Sequence, residues 1–246
     1  MSSPSQNTLK IGIIGFGPFA QFLAKTMVKQ GHSIRATSRS DYTDLCTHLG
    51  ILFFRDMIAF LESNNDVILL CTSILSVSQV IESISFHALK QPVLFADVLS
   101  VKEYPRDLLL QVVPQDSDVL CTHPMFGPES GKDGWKDLTF MFDRVRIRNE
   151  VTCSSFLQIF ASEGCRMMEM SCEEHDKLAA KSQFLTHTIG RVLSEVEVEP
   201  TSIDTKGFQK LVQVLNNLEL ALESVKQQLI KRMNEELDQS IYTPYN

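Results

Sequence analysis

Short apolar runs broken by glycine, proline and small polar residues recur from residue 9 to about residue 170, and apolar positions at helical spacing take over after that. The first run, Lys10-Ile11-Gly12-Ile13-Ile14, enters Gly15-Phe16-Gly17-Pro18-Phe19-Ala20, after which Phe22, Leu23, Met27 and Val28 continue at spacings of three and four. That pattern predicts a buried strand, a glycine turn and a helix. Gly31 then reads as a helix stop, residues 32–37 as a second strand, 51–53 as a third and 57–61 as a helix. The almost wholly apolar run at 66–72 suits a central parallel strand. A helix over 75–88 and strands at 92–97 and 118–122 follow. Residues 139–148 partly alternate as a late strand; Phe156, Leu157, Ile159 and Phe160 mark a helix, and 165–170 closes the sheet. Ser171 and Glu174 form a capping-box pair that announces a helix to about residue 196. Beyond it no strand is evident, and Leu211, Val214, Leu215, Leu218, Leu222 and Val225 begin an apolar stripe on a long helix that packs within the chain or across a dimer. The expected fold is α/β, a doubly wound Rossmann-type sheet over residues 1–170 with a smaller C-terminal all-helical domain over 171–246.

The 246 residues suffice for such a pair of domains. A formal net charge of -7 argues against a surface built to neutralise phosphates, so nucleic acid is not an expected partner. The six cysteines form no CxxC pair and sit among apolar strands, as reduced core thiols do. No apolar run approaches the roughly 20 residues of a membrane span, so no membrane partner is expected. Only eight residues precede Leu9, which leaves no room for a secretory or transit peptide and gives a cytoplasmic expectation.

The glycine turn carries the first candidate chemistry. Gly15 permits a tight turn, Gly17 lets a diphosphate approach bare backbone, Ala20 allows close helix packing, and Pro18 gives up no needed N–H at the first helical position, so the free amides about Phe19 and Ala20 face the anion. About 20 residues past the glycines, an NAD-binding unit usually places an acidic residue on the ribose. Thr37-Ser38-Arg39-Ser40-Asp41 stands there instead. Hydroxyls from Ser38 and Ser40 with the Arg39 guanidinium suit a 2′-phosphate, which gives a preference for NADP. The competing reading is an exposed loop in which Arg39 pairs with Asp41. Thr72 and Ser73 fall at the carboxyl end of the central strand, where such sheets present ligands. The segment Asp97-Val98-Leu99-Ser100-Val101-Lys102 carries polar groups to the same edge. His123 stands just beyond the strand at 118–122, with Pro124 ending the ladder. Its imidazole could accept a hydroxyl proton as hydride leaves the same carbon, or merely cap a loop. His175 and His187 lie twelve residues apart, about 18 Å along a helix, so they cannot share a small ligand. His175 beside Asp176 reads as structural, and His187 beside Gln183 and Thr186 as a pocket residue. Two histidines without clustered carboxylates or thiols predict no metal site.

Together the glycine turn, Thr37 to Asp41, Asp97 to Lys102, His123-Pro124-Met125-Phe126-Gly127-Pro128-Glu129, and the helix from His175-Asp176 through Ser182 to His187 resemble the plant-type prephenate and arogenate dehydrogenases over about residues 9–210. The resemblance implies NADP-dependent oxidative decarboxylation of prephenate to 4-hydroxyphenylpyruvate, or of arogenate to tyrosine, in tyrosine biosynthesis. It implies that His123 accepts the C4 hydroxyl proton, that Ser100 orients His123 or that hydroxyl, and that His187 contacts substrate. Thr205-Lys206-Gly207-Phe208 matches the stretch where bacterial relatives carry an arginine for the side-chain carboxylate, and Lys206 is its nearest basic residue. Relatives usually add a helical segment before the final helix; here residues 211–218 run on without a turn signal, so the helical domain reads as shortened. A homodimer through that domain is expected. The short N-terminus leans toward the cytosolic, prephenate-using branch.

Two rival functions remain open on the sequence. One is an NADP-holding sensor that has lost turnover with its shortened domain. The other is a 3-hydroxy-acid dehydrogenase with Lys177 or Lys181 as its catalytic lysine.

Overall fold

The structure is a computed structural model that describes residues 8–182, 201–210 and 212. The chain divides into a unit ending at Lys177 and a second from Leu178 to Asn246. The first unit is built on an eight-stranded sheet: β1 (Lys10–Ile14), β2 (Ser33–Thr37), β3 (Leu52–Phe54), β4 (Val67–Leu70), β5 (Leu94–Asp97), β6 (Asp118–Pro124), β7 (Thr139–Arg146) and β8 (Arg166–Glu169). Their spatial order is β3-β2-β1-β4-β5-β6-β7-β8. The first six strands are parallel, β7 runs antiparallel to β6, and β8 is parallel to β7.

Helices cover both faces, which is why the central strands can be apolar on both sides. One face packs Ala20, Leu23 and Met27 of α1 (Pro18–Lys29), Cys46 of α2 (Thr43–His48) and Phe156 and Phe160 of α6 (Glu150–Ser162). The other packs Phe60 and Leu61 of α3 (Met57–Leu61), Val77 and Ile81 of α4 (Val77–Glu82) and Leu109 of α5 (Glu103–Val112). Each of the leucine, isoleucine, valine, methionine and phenylalanine side chains so removed from water is worth about 1.5–3 kcal/mol. All six cysteines are free thiols, and five of them are buried.

The strand order changes direction between β1 and β4, and β1 and β4 both end at the sheet edge where the glycine turn lies. Two expectations need correction. The helix expected over 75–88 is the six-residue α4 between 3₁₀ turns at Ile74–Ser76 and Phe86–Ala88. His123 and Pro124 are inside β6, not past its end: β5 stops pairing at Cys121, but β7 returns antiparallel and carries the ladder on, with His123 opposite Met141 and Pro124 opposite Phe140. The ladder survives a proline there because Met125 N–H resumes it on Thr139 O at 2.9 Å.

A further helix is described over residues 172–182, here α7. Ser171 caps it through Glu174 N–H at 3.1 Å, and Asp143 on β7 accepts from Cys172 N–H at 2.8 Å. In the second unit, residues 206–210 are helical, and Thr205 caps that turn by accepting from Phe208 N–H at 3.3 Å.

Candidate active site

The turn after β1 is tied to β2 by Gly15 N–H donating to Thr37 O at 2.9 Å, and it opens onto free space at the start of α1. Gly15 has φ +89, and a Cβ there would stand 2.6 Å from Cys71 O, so the position requires glycine. Gly17 differs: a Cβ there would meet nothing within 4 Å, which leaves open space beside the start of α1. Gly17 is the N-cap of α1, no side chain caps it, Pro18 occupies the first turn, and no acidic residue follows in that turn. The N–H groups about Phe19 and Ala20 and the positive end of the helix dipole are therefore available to a phosphate. Ala20 is buried against the sheet, as its small size permits. Across the turn, the Thr72 hydroxyl is buried without a hydrogen-bond partner among the described residues. Ser73 bonds Ser76 Oγ at 2.8 Å and its carbonyl accepts from Ser76 N–H, so it shapes the 3₁₀ turn after β4. Open space, free amides and an orphaned hydroxyl at one strand edge fit a dinucleotide phosphate.

At the end of β2, Ser38 and Ser40 are half-buried and Arg39 is exposed. The anticipated alternative pairing of Arg39 with Asp41 does not form. Asp41 accepts from Thr43 N–H at 2.9 Å and Thr43 Oγ1 at 2.6 Å, and pairs with Arg55 at 3.9 Å. Those bonds hold its carboxyl below the usual carboxylate range. Asp41 thus secures the start of α2, and Arg39 makes no ion pair among the described residues. Arg55, just past β3, reaches the Arg39 carbonyl at 3.4 Å and brings a second cation to this loop. Sequence reasoning overlooked it because the two arginines meet only through the β2–β3 pairing.

The ends of β5 and β6 hold a buried polar chain. Lys102, fully buried, donates to Asp97 and to Thr122 O, the latter at 2.6 Å. The Thr122 hydroxyl donates to Asp97 O, and Leu99 N–H donates to Asp97 Oδ1 at 3.0 Å. Next to Thr122, His123 Nδ1 lies 2.9 Å from His175 Nε2. His175 Nδ1 lies 2.7 Å from Asp176 Oδ1, and the Asp176 carboxylate accepts from Lys102 N–H at 2.8 Å and Glu103 N–H at 3.0 Å. Asp176 therefore caps α5, whose own N-cap Lys102 offers no side-chain cap. Burial, then Lys102 and His175, push His123 down to about 3, against an opposing pull from Asp176. The imidazole is thus neutral near pH 7, as a proton acceptor must be.

His175, set aside on the sequence as structural, is in direct contact with the candidate base. A long-range contact of this kind leaves no local pattern; the only trace was the His-Asp dipeptide one turn into a capped helix. Ser100 lies exposed between β5 and α5 and bonds no histidine among the described residues. Lys177 and Lys181 are exposed. Lys206 opens the helical turn in the second unit. Gln183, Thr186 and His187 lie outside the described residues. Among the described residues, no group of histidine, cysteine and acidic side chains could hold a metal ion, and no helix is long and apolar enough to cross a membrane.

The profile of the prephenate dehydrogenase nucleotide-binding domain matches residues 23–144. Arogenate dehydrogenase 2, chloroplastic, from Arabidopsis thaliana is 43% identical over 265 residues, covering 96% of this chain and 74% of that protein. This chain belongs to the prephenate and arogenate dehydrogenase family. Arogenate dehydrogenase 1, chloroplastic, of the same plant is 60% identical over 213 residues, which is 85% of this chain and 33% of that protein. The chain thus spans a third of the length of one relative and about three quarters of the other. A crystal structure of prephenate dehydrogenase from A. aeolicus in complex with hydroxyphenyl propionate and NAD+ is 15% identical with a TM-score of 0.68, covering 97% of this chain and 96% of that one. That likeness carries the Rossmann-type fold. The family and fold expected from the sequence therefore stand, and the nucleotide-binding domain supports a nicotinamide cofactor.

Proposed function

We propose that this chain catalyses the NADP-dependent oxidative decarboxylation of arogenate, with prephenate as the alternative substrate, in tyrosine biosynthesis. The observation that carries the reading is the neutral His123 imidazole at the sheet edge shared with the glycine turn. Arogenate comes first because both Arabidopsis relatives bear that name. The residues that would hold the dinucleotide are Gly15, Gly17, Pro18, Phe19 and Ala20 at the turn, Thr72 and Ser73 across it, and Ser38, Arg39 and Ser40 for a 2′-phosphate, with Asp41 and Arg55 setting that loop. When bound, the nicotinamide supplies the hydride acceptor.

His123 Nε2 takes the proton of the ring hydroxyl as the hydride leaves its carbon, so the oxygen becomes a carbonyl. Loss of the ring carboxylate as carbon dioxide sends its bonding pair into the ring, which becomes aromatic with a phenolate oxygen. The proton on His123 can then return to that oxygen, and the base is regenerated. Lys102 works against a lasting imidazolium by its charge. Ser100 remains proposed to orient His123 or the ring hydroxyl, and Gln183, Thr186, His187 and Lys206 remain proposed substrate contacts, with Lys206 neutralising the side-chain carboxylate without a bidentate fork. The free buried thiols suit a reducing compartment. The apolar stripe from Leu211 onward would join two copies, a point that sedimentation of the purified chain decides.

Purified protein mixed with NADP and arogenate, then prephenate, should reduce NADP and release carbon dioxide in equal amounts. Reduction of NADP by a 3-hydroxy acid without carbon dioxide would favour the hydroxy-acid rival. Tight NADP binding with no turnover of any of these would favour the sensor.

A further inference from the structure

We propose that His175 and Asp176 are positioning residues that fix His123 as its Nδ1–H tautomer and so leave Nε2 bare to accept a proton. The inference rests on His123 being the base of the proposed reaction. An ionised carboxylate has only acceptor oxygens, so the 2.7 Å contact to Asp176 puts a proton on His175 Nδ1. In neutral His175 the other nitrogen, Nε2, is then an acceptor. The 2.9 Å contact between His175 Nε2 and His123 Nδ1 consequently requires a proton on His123 Nδ1, and neutral His123 carries none on Nε2. Three acceptor-to-donor assignments, each forced by the one before, decide which nitrogen does the chemistry.

The arrangement is held from several sides. Asp176 also accepts the N–H groups of Lys102 and Glu103, which fix its carboxylate in place. Asp143 anchors the start of α7 to β7, the strand that pairs with β6, and an ion pair between Arg106 and Glu173 ties α7 to α5. His175 is 3% exposed and His123 9%, so bulk water cannot replace either ring contact freely. When Nε2 takes its proton, the Nδ1 proton can pass to His175 Nε2, which moves the positive charge next to Asp176. A doubly protonated His175 would do the reverse. It would donate to His123 Nδ1 and leave Nε2 blocked by its own proton.

The test is two-bond proton–nitrogen NMR of the full chain labelled with ¹⁵N-histidine, without substrate, together with kinetics of two variants. In the unaltered protein His123 should be protonated at Nδ1 and bare at Nε2. His175→Phe should turn this into a mixture of tautomers and lower kcat by about 10²-fold, within the range a general base contributes, with KM and dinucleotide affinity within about twofold of normal. His175→Gln offers an amide oxygen to His123 Nδ1, so it should keep the tautomer and recover at least about tenfold of that loss, and it carries the test if the Phe variant does not fold. His123 found protonated at Nε2 overturns the proposal, as does unchanged kcat in both variants. The expected tautomer in a chain that oxidises neither arogenate nor prephenate would leave the positioning intact and remove the proposed function instead.

Discussion

The Lys102 ammonium and the Asp97 carboxylate form an ion pair with no solvent exposure on either side chain. Two buried charges are tolerable only together, because their mutual attraction offsets a desolvation cost of several kcal/mol per ion. Among the described residues Asp97 Oδ2 has no hydrogen-bond partner, so the carboxylate depends on Lys102 all the more. Lys102→Met should therefore destabilise the protein by about 3–5 kcal/mol in urea unfolding, while adding Asp97→Asn to it should restore most of the loss. Equal midpoints for the single and double variants would count against the pair as a coupled unit.

The two glycines of the turn should separate folding from binding. Gly15→Ala places a Cβ 2.6 Å from a backbone oxygen at a positive φ and should lower the melting temperature strongly. Gly17→Ala meets nothing in the protein and should leave the melting temperature nearly unchanged, yet weaken dinucleotide binding by about tenfold or more because the methyl occupies the diphosphate's approach. Isothermal titration with NADP beside a thermal melt checks both.

Arg39 has no intramolecular ion pair among the described residues, and Arg55 stands next to it. A charge-assisted hydrogen bond is worth about 1.5–3 kcal/mol, so Arg39→Ala should weaken NADP binding by about 10- to 100-fold and leave NAD binding nearly unchanged. Equal losses for both coenzymes would point to a role in shaping the loop.

Where the sequence was legible, the determinants were local. β1, the glycine turn and α1 could be read because an apolar run, two glycines and a proline all act within eleven residues. α5 went unread: its start carries Pro105, its cap is Asp176 from 74 residues away, and nothing nearby announces a helix. The extension of β6 through His123 was hidden for the same reason, since it depends on pairing with β7. The candidate base was visible as a histidine at a strand end, but its partner was not, because His175 meets it 52 residues on only after the sheet and α7 have formed.

The low pKa of His123 has a consequence for stability. The unfolded chain binds a proton at this histidine near the ordinary value of about 6.5, whereas the folded protein holds out to about 3. Stability from this group is therefore present above about pH 6.5 and falls as pH drops through the interval between those values, by up to a few kcal/mol. His123→Phe should flatten that part of the profile in urea midpoints taken from pH 7 to pH 4. An unchanged slope would mean that other groups dominate acid unfolding.

The central claim, that a neutral imidazole at position 123 accepts the substrate proton, is tested most directly by His123→Asn. The asparagine amide N–H can still donate to His175 Nε2, as His123 Nδ1–H does, while the atom corresponding to Nε2 is gone. In stopped-flow measurements with NADP and arogenate, this variant should reduce NADP at least about 10²-fold more slowly, with coenzyme affinity nearly intact. Reduction at the unaltered rate would contradict the account.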